Sequence, residues 1–204
     1  MFYLLQSGFL EKLKQWDQWL FIQLNSGWAN PVFDQLMPFM RTGIYWAPLY
    51  LFFGVFAVLN FKSKGAWWIL FFVTTVAITD LGGTHLFKNN FGRDRPCANL
   101  DFYMHVRLLV NCVGRGNSFI SNHAANHFGM ATFFFITFRP VFKKWAAIAF
   151  LWAAMIAYAQ VYVGIHYPGD VLTGALFGSI IGLGTGKLFN KRHQFAIFDN
   201  QLEA

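Results

Sequence analysis

Five stretches of this sequence are long, apolar and nearly free of charge: Ile44 to Asn60, Ala66 to Phe87 (interrupted by Asp80), Asn122 to Phe138, Trp145 to Val163 and Val171 to Phe189. Each approaches the roughly 20 residues that an α-helix needs to cross the hydrocarbon core of a bilayer. The whole chain agrees, since 56% hydrophobic and 20% aromatic residues with only 12% charged is too apolar for a soluble domain of this length. The runs predict an all-α integral membrane helical bundle with about five transmembrane helices. Trp46, Trp67, Trp68, Trp145 and Trp152 fall near the ends of the runs, where aromatic belts anchor helices at headgroup level.

The first forty residues follow another pattern. Phe9, Leu13, Trp16, Leu20 and Leu24 recur at helical spacing with Glu11, Lys12, Lys14, Asp17 and Gln18 between them, which predicts an amphipathic helix lying in the membrane interface. A second amphipathic stretch, Val32 to Met40, follows Pro31. A sixth, weakly hydrophobic span over residues 9–25 is the alternative, disfavoured by its interior charges. The start shows neither the basic n-region nor the small-residue cleavage site of a signal peptide. Three regions are expected: an N-terminal interfacial region (1–43), a transmembrane core (44–190) and a cytoplasmic tail (191–204).

Lys62 and Lys64, then Arg139, Lys143 and Lys144, then Lys187, Lys191 and Arg192 mark the cytoplasmic ends of the spans by the positive-inside rule. Much of the formal charge of +7 is accounted for there, so it reads as topology and contact with anionic lipid, and no nucleic-acid partner is expected. The opposing loop, Lys88 to Ser121, is also basic through Lys88, Arg93, Arg95, Arg107 and Arg115, but it is much longer. Counting crossings from this orientation brings three segments to the non-cytoplasmic side: Lys88 to Pro96 (KNNFGRDRP), Ser118 to Asn126 (SFISNHAAN) and Tyr162 to Asp170 (YVGIHYPGD). Cys97 and Cys112 lie in the same outer loop. In an oxidising compartment they could pair, and closing a loop of roughly 15 residues would contribute about 3 kcal/mol in the chain-entropy model; two reduced loop cysteines are the other reading.

The residue types in the three segments suit phosphate chemistry. Ser121 or Asn122 can cap the third span, whose free N–H groups then face outward as an anion site. Lys88 and Arg95 add full charges, with arginine able to grip phosphate oxygens bidentately. Asp170 follows His166 by four residues and can accept a hydrogen bond from one ring nitrogen, which leaves the other free to attack. His123 can protonate the departing oxygen. No ligand spacing suggests a metal.

These residues resemble the signature of the type 2 phosphatidic acid phosphatase superfamily, membrane lipid phosphatases related to vanadium haloperoxidases. Its three parts are Lys, six residues, Arg-Pro; Pro-Ser-Gly-His; and Ser-Arg, five residues, His, three residues, Asp. The first matches at Lys88, Arg95 and Pro96. In the second, Ser121 and His123 match while Ile120 and Asn122 replace Pro and Gly. In the third, His166 and Asp170 match, but Ala159 and Gln160 stand in for Ser-Arg. The resemblance implies His166 as a nucleophile forming a phosphohistidine, Asp170 as its orienting partner and His123 as general acid. It implies a phosphate cradle of Lys88, Arg95 and the Ser121–Asn122–His123 backbone, with Gln160 at its edge. No metal and no cofactor are expected. Gln160 supplies an amide without charge, and Arg93 is a candidate substitute donor.

Among other polar residues, Asp80 in the second span is a candidate accessory residue or a structural hydrogen-bond acceptor, Asn126 a supporting partner of the site, and His127 an interfacial residue. His85 and His105 read as solvent-facing loop residues. Gly174, Gly178, Gly182 and Gly186 recur every four residues, a small-residue stripe suited to close helix packing, within the bundle rather than between two copies. The expected function is hydrolysis of a lipid phosphomonoester or pyrophosphate at the outer face of a bacterial inner membrane, with undecaprenyl diphosphate, phosphatidylglycerol phosphate, phosphatidate and lipid A phosphates as candidate substrates. A lipid phosphotransferase and a non-catalytic headgroup binder on the same core are the alternatives.

Overall fold

The computed structural model describes residues 2–112 and 117–195, with side chains from Gly8 onward. Its helices are α1 (Phe2–Ile22), α2 (Pro31–Arg41), α3 (Ala47–Phe61), α4 (Ser63–Gly82), the short α5 (Asn89–Phe91), α6 (Asn122–Phe142), α7 (Ile148–Tyr162) and α8 (Pro168–His193), and there is no strand among the described residues. Four helical stretches among these residues are long and apolar enough to cross a membrane: Gly43–Phe61, Ser63–Ala98, Asn122–Tyr162 and Pro168–His193. The third contains two helices. The chain turns at Lys143 (φ 52°), and side chains pair across the turn, Phe128 and Phe135 with Phe150 and His127 with Trp152. Five helices of the bundle, α3, α4, α6, α7 and α8, thus correspond to the five apolar runs. The N-terminal helix α1 is not among the long apolar stretches.

A second hairpin turns at Lys62, also with φ 52°, and packs α4 on α3 so closely that the Ala57 carbonyl leaves no room for a side chain at Gly65. The tightest pair is α6 and α8. A Cβ at Gly174 would stand 2.6 Å from the Ser121 carbonyl oxygen, and one at Gly178 or Gly182 would collide with the carbonyls of Ala125 or Gly129. The glycine stripe therefore serves packing within the bundle. The register ascends in both helices, so they run parallel and their N-termini lie side by side, joined where the Ser121 N–H donates to the Asp170 carbonyl at 3.1 Å.

The two ends of the bundle differ in chemistry. At one end Phe61 stacks on Phe195 at 3.9 Å and Trp67 on His193 at 5.1 Å, which gathers the α3–α4 turn and the end of α8 with their lysines and arginine. The other end carries Lys88 to Pro96, Ser118 to His123 and Val163 to Asp170. There Cys97 and Cys112 are joined as a disulfide with Cα atoms 6.0 Å apart.

The N-terminal helices pack against this second end through buried contacts. Phe21 is wholly buried and meets Phe102 and Tyr167 edge-on, both at 5.6 Å. Asn25, also wholly buried, donates to the carbonyls of Tyr162 (2.7 Å) and Arg107 (2.9 Å) and accepts from the Arg107 N–H (2.8 Å). Helix α2 starts at Pro31 under an Asn30 cap that accepts from the Phe33 N–H at 2.9 Å. It is pinned where the Tyr162 hydroxyl donates to Asp34 at 2.7 Å. Met37 and Met40 pack with Ile156, Ala159, Tyr162 and Ile165 of α7 and its following turn. Buried polar contacts of this kind are what a pattern of apolar spacing does not carry. At the opposite end of the chain α8 runs to His193; residues 196–204 of the expected tail, like Arg115, lie outside the described residues.

Candidate active site

His166 owes its position to the way α7 ends. The Gln160 carbonyl accepts from the N–H groups of both Ile165 (3.1 Å) and His166 (3.2 Å), and the reversal passes through Gly164 at φ 90°. Any side chain there would be strained by that φ, and its Cβ would stand 2.9 Å from Val106 Cγ1 and 3.0 Å from the Arg107 carbonyl oxygen. Pro168 then opens α8, and Asp170 in its first turn accepts from the Tyr167 N–H at 3.0 Å. A carboxylate is favoured at a helix N-terminus.

Asp170 is wholly buried and fully engaged. Its Oδ2 accepts from Ser118 Oγ at 2.5 Å, and its Oδ1 receives Arg93 Nη1 at 2.7 Å. His166 Nδ1 lies 3.6 Å from Oδ2, beyond hydrogen-bond length, although such pairs tighten when substrate arrives. The histidine-aspartate couple is thus assembled but relaxed. Burial pushes the His166 imidazole below the ordinary histidine range, with Asp170 opposing and Arg95 and Lys88 reinforcing. A neutral ring with one nitrogen facing a carboxylate is the form a nucleophile requires.

Arg93, the candidate substitute donor, is held by two carboxylates. Its Nη1 holds Asp170, its Nη2 holds Asp17 at 2.6 Å, and its guanidinium lies over the Tyr167 ring at 4.2 Å. With both terminal nitrogens on carboxylates, its fork is already taken. Asp17 reaches this site from α1 and also accepts from the Gly169 N–H at 2.8 Å. Together they brace the first turn of α8 from behind.

On the phosphate side, Ser121 caps α6 by accepting from the Ala124 N–H at 3.5 Å, and its own N–H is taken by Asp170. Its hydroxyl therefore serves the helix. The Asn122 side chain points back to α4, donating to Asp80 Oδ1 (3.0 Å) and Thr84 Oγ1 (3.1 Å). Asn126 donates to the same Asp80 oxygen at 3.2 Å and accepts from Thr79 at 2.7 Å. Asp80, Asn122 and Asn126 thereby tie the head of α6 to α4. What α6 offers an anion is the backbone N–H of Asn122 and His123, which by helix geometry have no carbonyl a turn earlier.

Lys88 and Arg95 approach from the segment after α4, and among the described residues neither forms an ion pair with a carboxylate. Both bear electrostatically on His166, and Lys88 with Arg41 bears on His123. The Gln160 side chain is wholly buried, and among the described residues neither its oxygen nor its nitrogen has a hydrogen-bond partner. His127 is buried rather than interfacial: Nδ1 meets the His123 carbonyl at 2.7 Å, Nε2 meets the Tyr50 hydroxyl at 3.3 Å, and Trp152 packs on the ring. His85 and His105 are exposed. Among the described residues no group of three or more His, Cys, Asp or Glu is placed to hold a metal ion.

Four residues of this region escaped the sequence reading: Ser118, Asp17, Tyr167 and Arg41. Ser118 sits three positions before the capping serine within a segment already singled out. Asp17 precedes the buried Phe21 by four residues, so a helical wheel puts them on one face. Tyr167 likewise lies within a segment already singled out, between His166 and Pro168, whereas Arg41 carried no comparable signal.

A helical membrane bundle that places a buried His-Asp couple beside cations without a carboxylate partner among the described residues, at the joined N-termini of two parallel helices, has the framework of a membrane phosphohydrolase. Residues 44–194 match the PAP2 superfamily, and the chain belongs to that family. It is 32% identical over 176 residues to the lipid A 4'-phosphatase of Bacteroides thetaiotaomicron, covering 85% of this chain and 76% of that protein. The lipid A 4'-phosphatase of Porphyromonas gingivalis is 28% identical, covering 85% and 72%. The crystal structure of Aquifex aeolicus LpxE superposes with a TM-score of 0.63 at 27% identity, over 82% of this chain and 93% of that one. The PAP2-type phosphatidylglycerolphosphate phosphatase of Bacillus subtilis shares the fold, with a TM-score of 0.65 at 22% identity over 90% and 89%.

Proposed function

We propose that this protein is a membrane lipid phosphatase that removes a phosphate monoester from a lipid A-type glycolipid at the outer face of a bacterial inner membrane. The observation that carries this reading is the His166–Asp170 couple, held by Ser118 and Arg93 beside the open head of α6. Family membership and the lipid A 4'-phosphatase relatives support the lipid phosphatase class and favour a sugar phosphate over the other candidate headgroups.

In the first step His166 Nε2 attacks phosphorus as Asp170 accepts the Nδ1 proton in a hydrogen bond. The P–O bond to the lipid breaks, and His123 gives its proton to the departing oxygen. Water then attacks the phosphohistidine with His123 as base, releasing phosphate and restoring both histidines. Lys88, Arg95 and the N–H groups at the head of α6 stabilise the charge on the equatorial oxygens in each step. No metal or cofactor enters this scheme.

An apolar crevice of about 470 Å³ opens between α3, α4, α6 and α7, lined by Tyr50, Phe53, Trp68, Phe134 and Trp152 among others. Tyr50 connects it to His127 and so to the His123 carbonyl. An acyl chain seated there would leave the headgroup at the mouth of α6. The test is phosphate release by the purified protein in detergent, with EDTA present, from lipid A carrying a 4'- or a 1-phosphate, phosphatidylglycerol phosphate, phosphatidate and undecaprenyl diphosphate. Release from the 4'-phosphate, lost in His166→Ala, is expected. Release only from another lipid would overturn the substrate assignment, and loss of activity in EDTA would overturn the metal-free scheme.

A further inference from the structure

We infer that Arg41, the last residue of α2, is the phosphate-binding guanidinium that Gln160 does not provide, so that the cradle takes its third cation from the N-terminal region. This rests on the phosphohydrolase reading above.

Position is the first argument. Met40 packs with Ala159, the neighbour of Gln160, in a cluster that also includes Cys97, two residues beyond Arg95. The Met40 carbonyl accepts from Trp46 Nε1 at 2.8 Å. The backbone at Arg41 is therefore fixed between the end of α7 and the Arg95 segment.

Its surroundings are the second. Arg41 is half-buried, its Nε is sealed from solvent without a hydrogen bond, and the same holds for Arg95 Nε. Among the described residues it has no carboxylate partner. The charged groups it acts on are Arg95 and the His123 imidazole. Burial pushes Arg41 below the ordinary arginine range, and no carboxylate offsets the effect. Clustering cations away from an anion is unfavourable, and a phosphate dianion relieves it directly.

Gln160 is the third. Gln160 is a wholly buried amide with neither atom bonded among the described residues, and a buried polar group of that kind calls for a partner. Its neutrality is what the presence of Arg41 calls for, since arginine at 160 would add a fourth cation to Lys88, Arg95 and Arg41. The positive charge has moved from α7 to α2, and the total in the cradle is preserved.

The exchange is tested with inorganic phosphate as the probe. Its affinity for the full-length protein in detergent is measured by calorimetry and as product inhibition, alongside kcat/KM and a thermal melt. Arg41→Gln is expected to weaken phosphate by about 10- to 100-fold, as loss of a charged hydrogen bond does, and Arg41→Lys by less. Gln160→Arg alone is expected to slow turnover through crowding of charge. The double variant Arg41→Gln/Gln160→Arg is expected to recover most of the lost phosphate affinity. Phosphate binding by Arg41→Gln within twofold of the wild type would overturn the inference. A loss that the double variant does not restore would do so too, because a purely structural role for Arg41 gives that result. If Arg41→Gln fails to melt cooperatively, Arg41→Lys with unchanged phosphate affinity, pH profile and KM overturns it as well. Failure of the wild type to hydrolyse any lipid would sink the function reading, while phosphate binding still decides the role of Arg41.

Discussion

At Asp170 three donors meet the carboxylate: Ser118 and the Tyr167 N–H on one oxygen, Arg93 on the other. This crowding fixes a buried carboxylate in place, and the carboxylate in turn faces His166, the nucleophile we propose. Arg93→Gln therefore has consequences of two kinds. It leaves a wholly buried carboxylate short of its cation, which is expected to destabilise the fold by about 2–3 kcal/mol, the lower range because Arg93 is itself partly exposed. It also lets the negative field of Asp170 act on His166 undiminished. His166 is held below the ordinary histidine range chiefly by burial. Its neutral form persists as pH falls through 6.5 and is lost only as pH drops through the lowered value. In the wild type the acid limb of kcat/KM is accordingly expected below pH 6.5, and in Arg93→Gln it is expected to move upward as the imidazolium becomes easier to form. Profiles with identical acid limbs would show that Arg93 serves packing alone. A limb above 6.5 in the wild type would remove His166 from the nucleophile role. At this scale the sequence spacing placed His166 four residues before Asp170 and brought Lys88 and Arg95 to the same end. It did not show that the Arg93 fork is occupied, because its second carboxylate, Asp17, lies 76 residues away in a helix that reads as surface.

Helices set the geometry that those residues use. The apolar runs predicted the bundle helices to within a few residues, since a continuous hydrophobic stretch is a long-range property that single side chains hardly alter. The glycine stripe of α8 was equally legible, because only a missing Cβ permits carbonyl contact between helices. Less legible were the contacts of α1 and α2, whose amphipathic spacing fits a membrane surface and a protein surface alike; Phe21, Asn25 and Met40 are buried against the bundle, which spacing does not reveal. The turn after α7 is where an element meets the site most sharply. Gly164→Ala places a Cβ against Val106 and the Arg107 carbonyl at a φ of 90°, which is expected to cost about 1–3 kcal/mol and to displace His166. A lowered melting temperature with reduced kcat is the predicted result. An unchanged melt and rate would show that the turn relaxes freely and does not hold the nucleophile.

For the molecule as a whole, the parallel packing of α6 on α8 brings two positive helix ends to one face, while the α3–α4 turn, the α6–α7 turn and the end of α8 carry lysines to the other. We propose that the first face is external. A cysteine placed at exposed His105 is then expected to react with a membrane-impermeant maleimide in intact spheroplasts, and one at Lys144 only after lysis; the reverse pattern would invert the protein. What the sequence withheld at this scale was the joining of N-terminal helices to the end that carries His166 and Asp170, a matter of tertiary contact rather than of pattern. The central claim is that His166 carries phosphate covalently between lipid and water. It is tested most directly by mixing the purified protein with lipid A labelled with ³²P at the 4'-phosphate and quenching within a turnover. Acid-labile, base-stable label on a peptide containing His166, absent from His166→Ala, is the predicted result. Release of labelled phosphate with no protein-bound label, and turnover that survives His166→Ala, would contradict it.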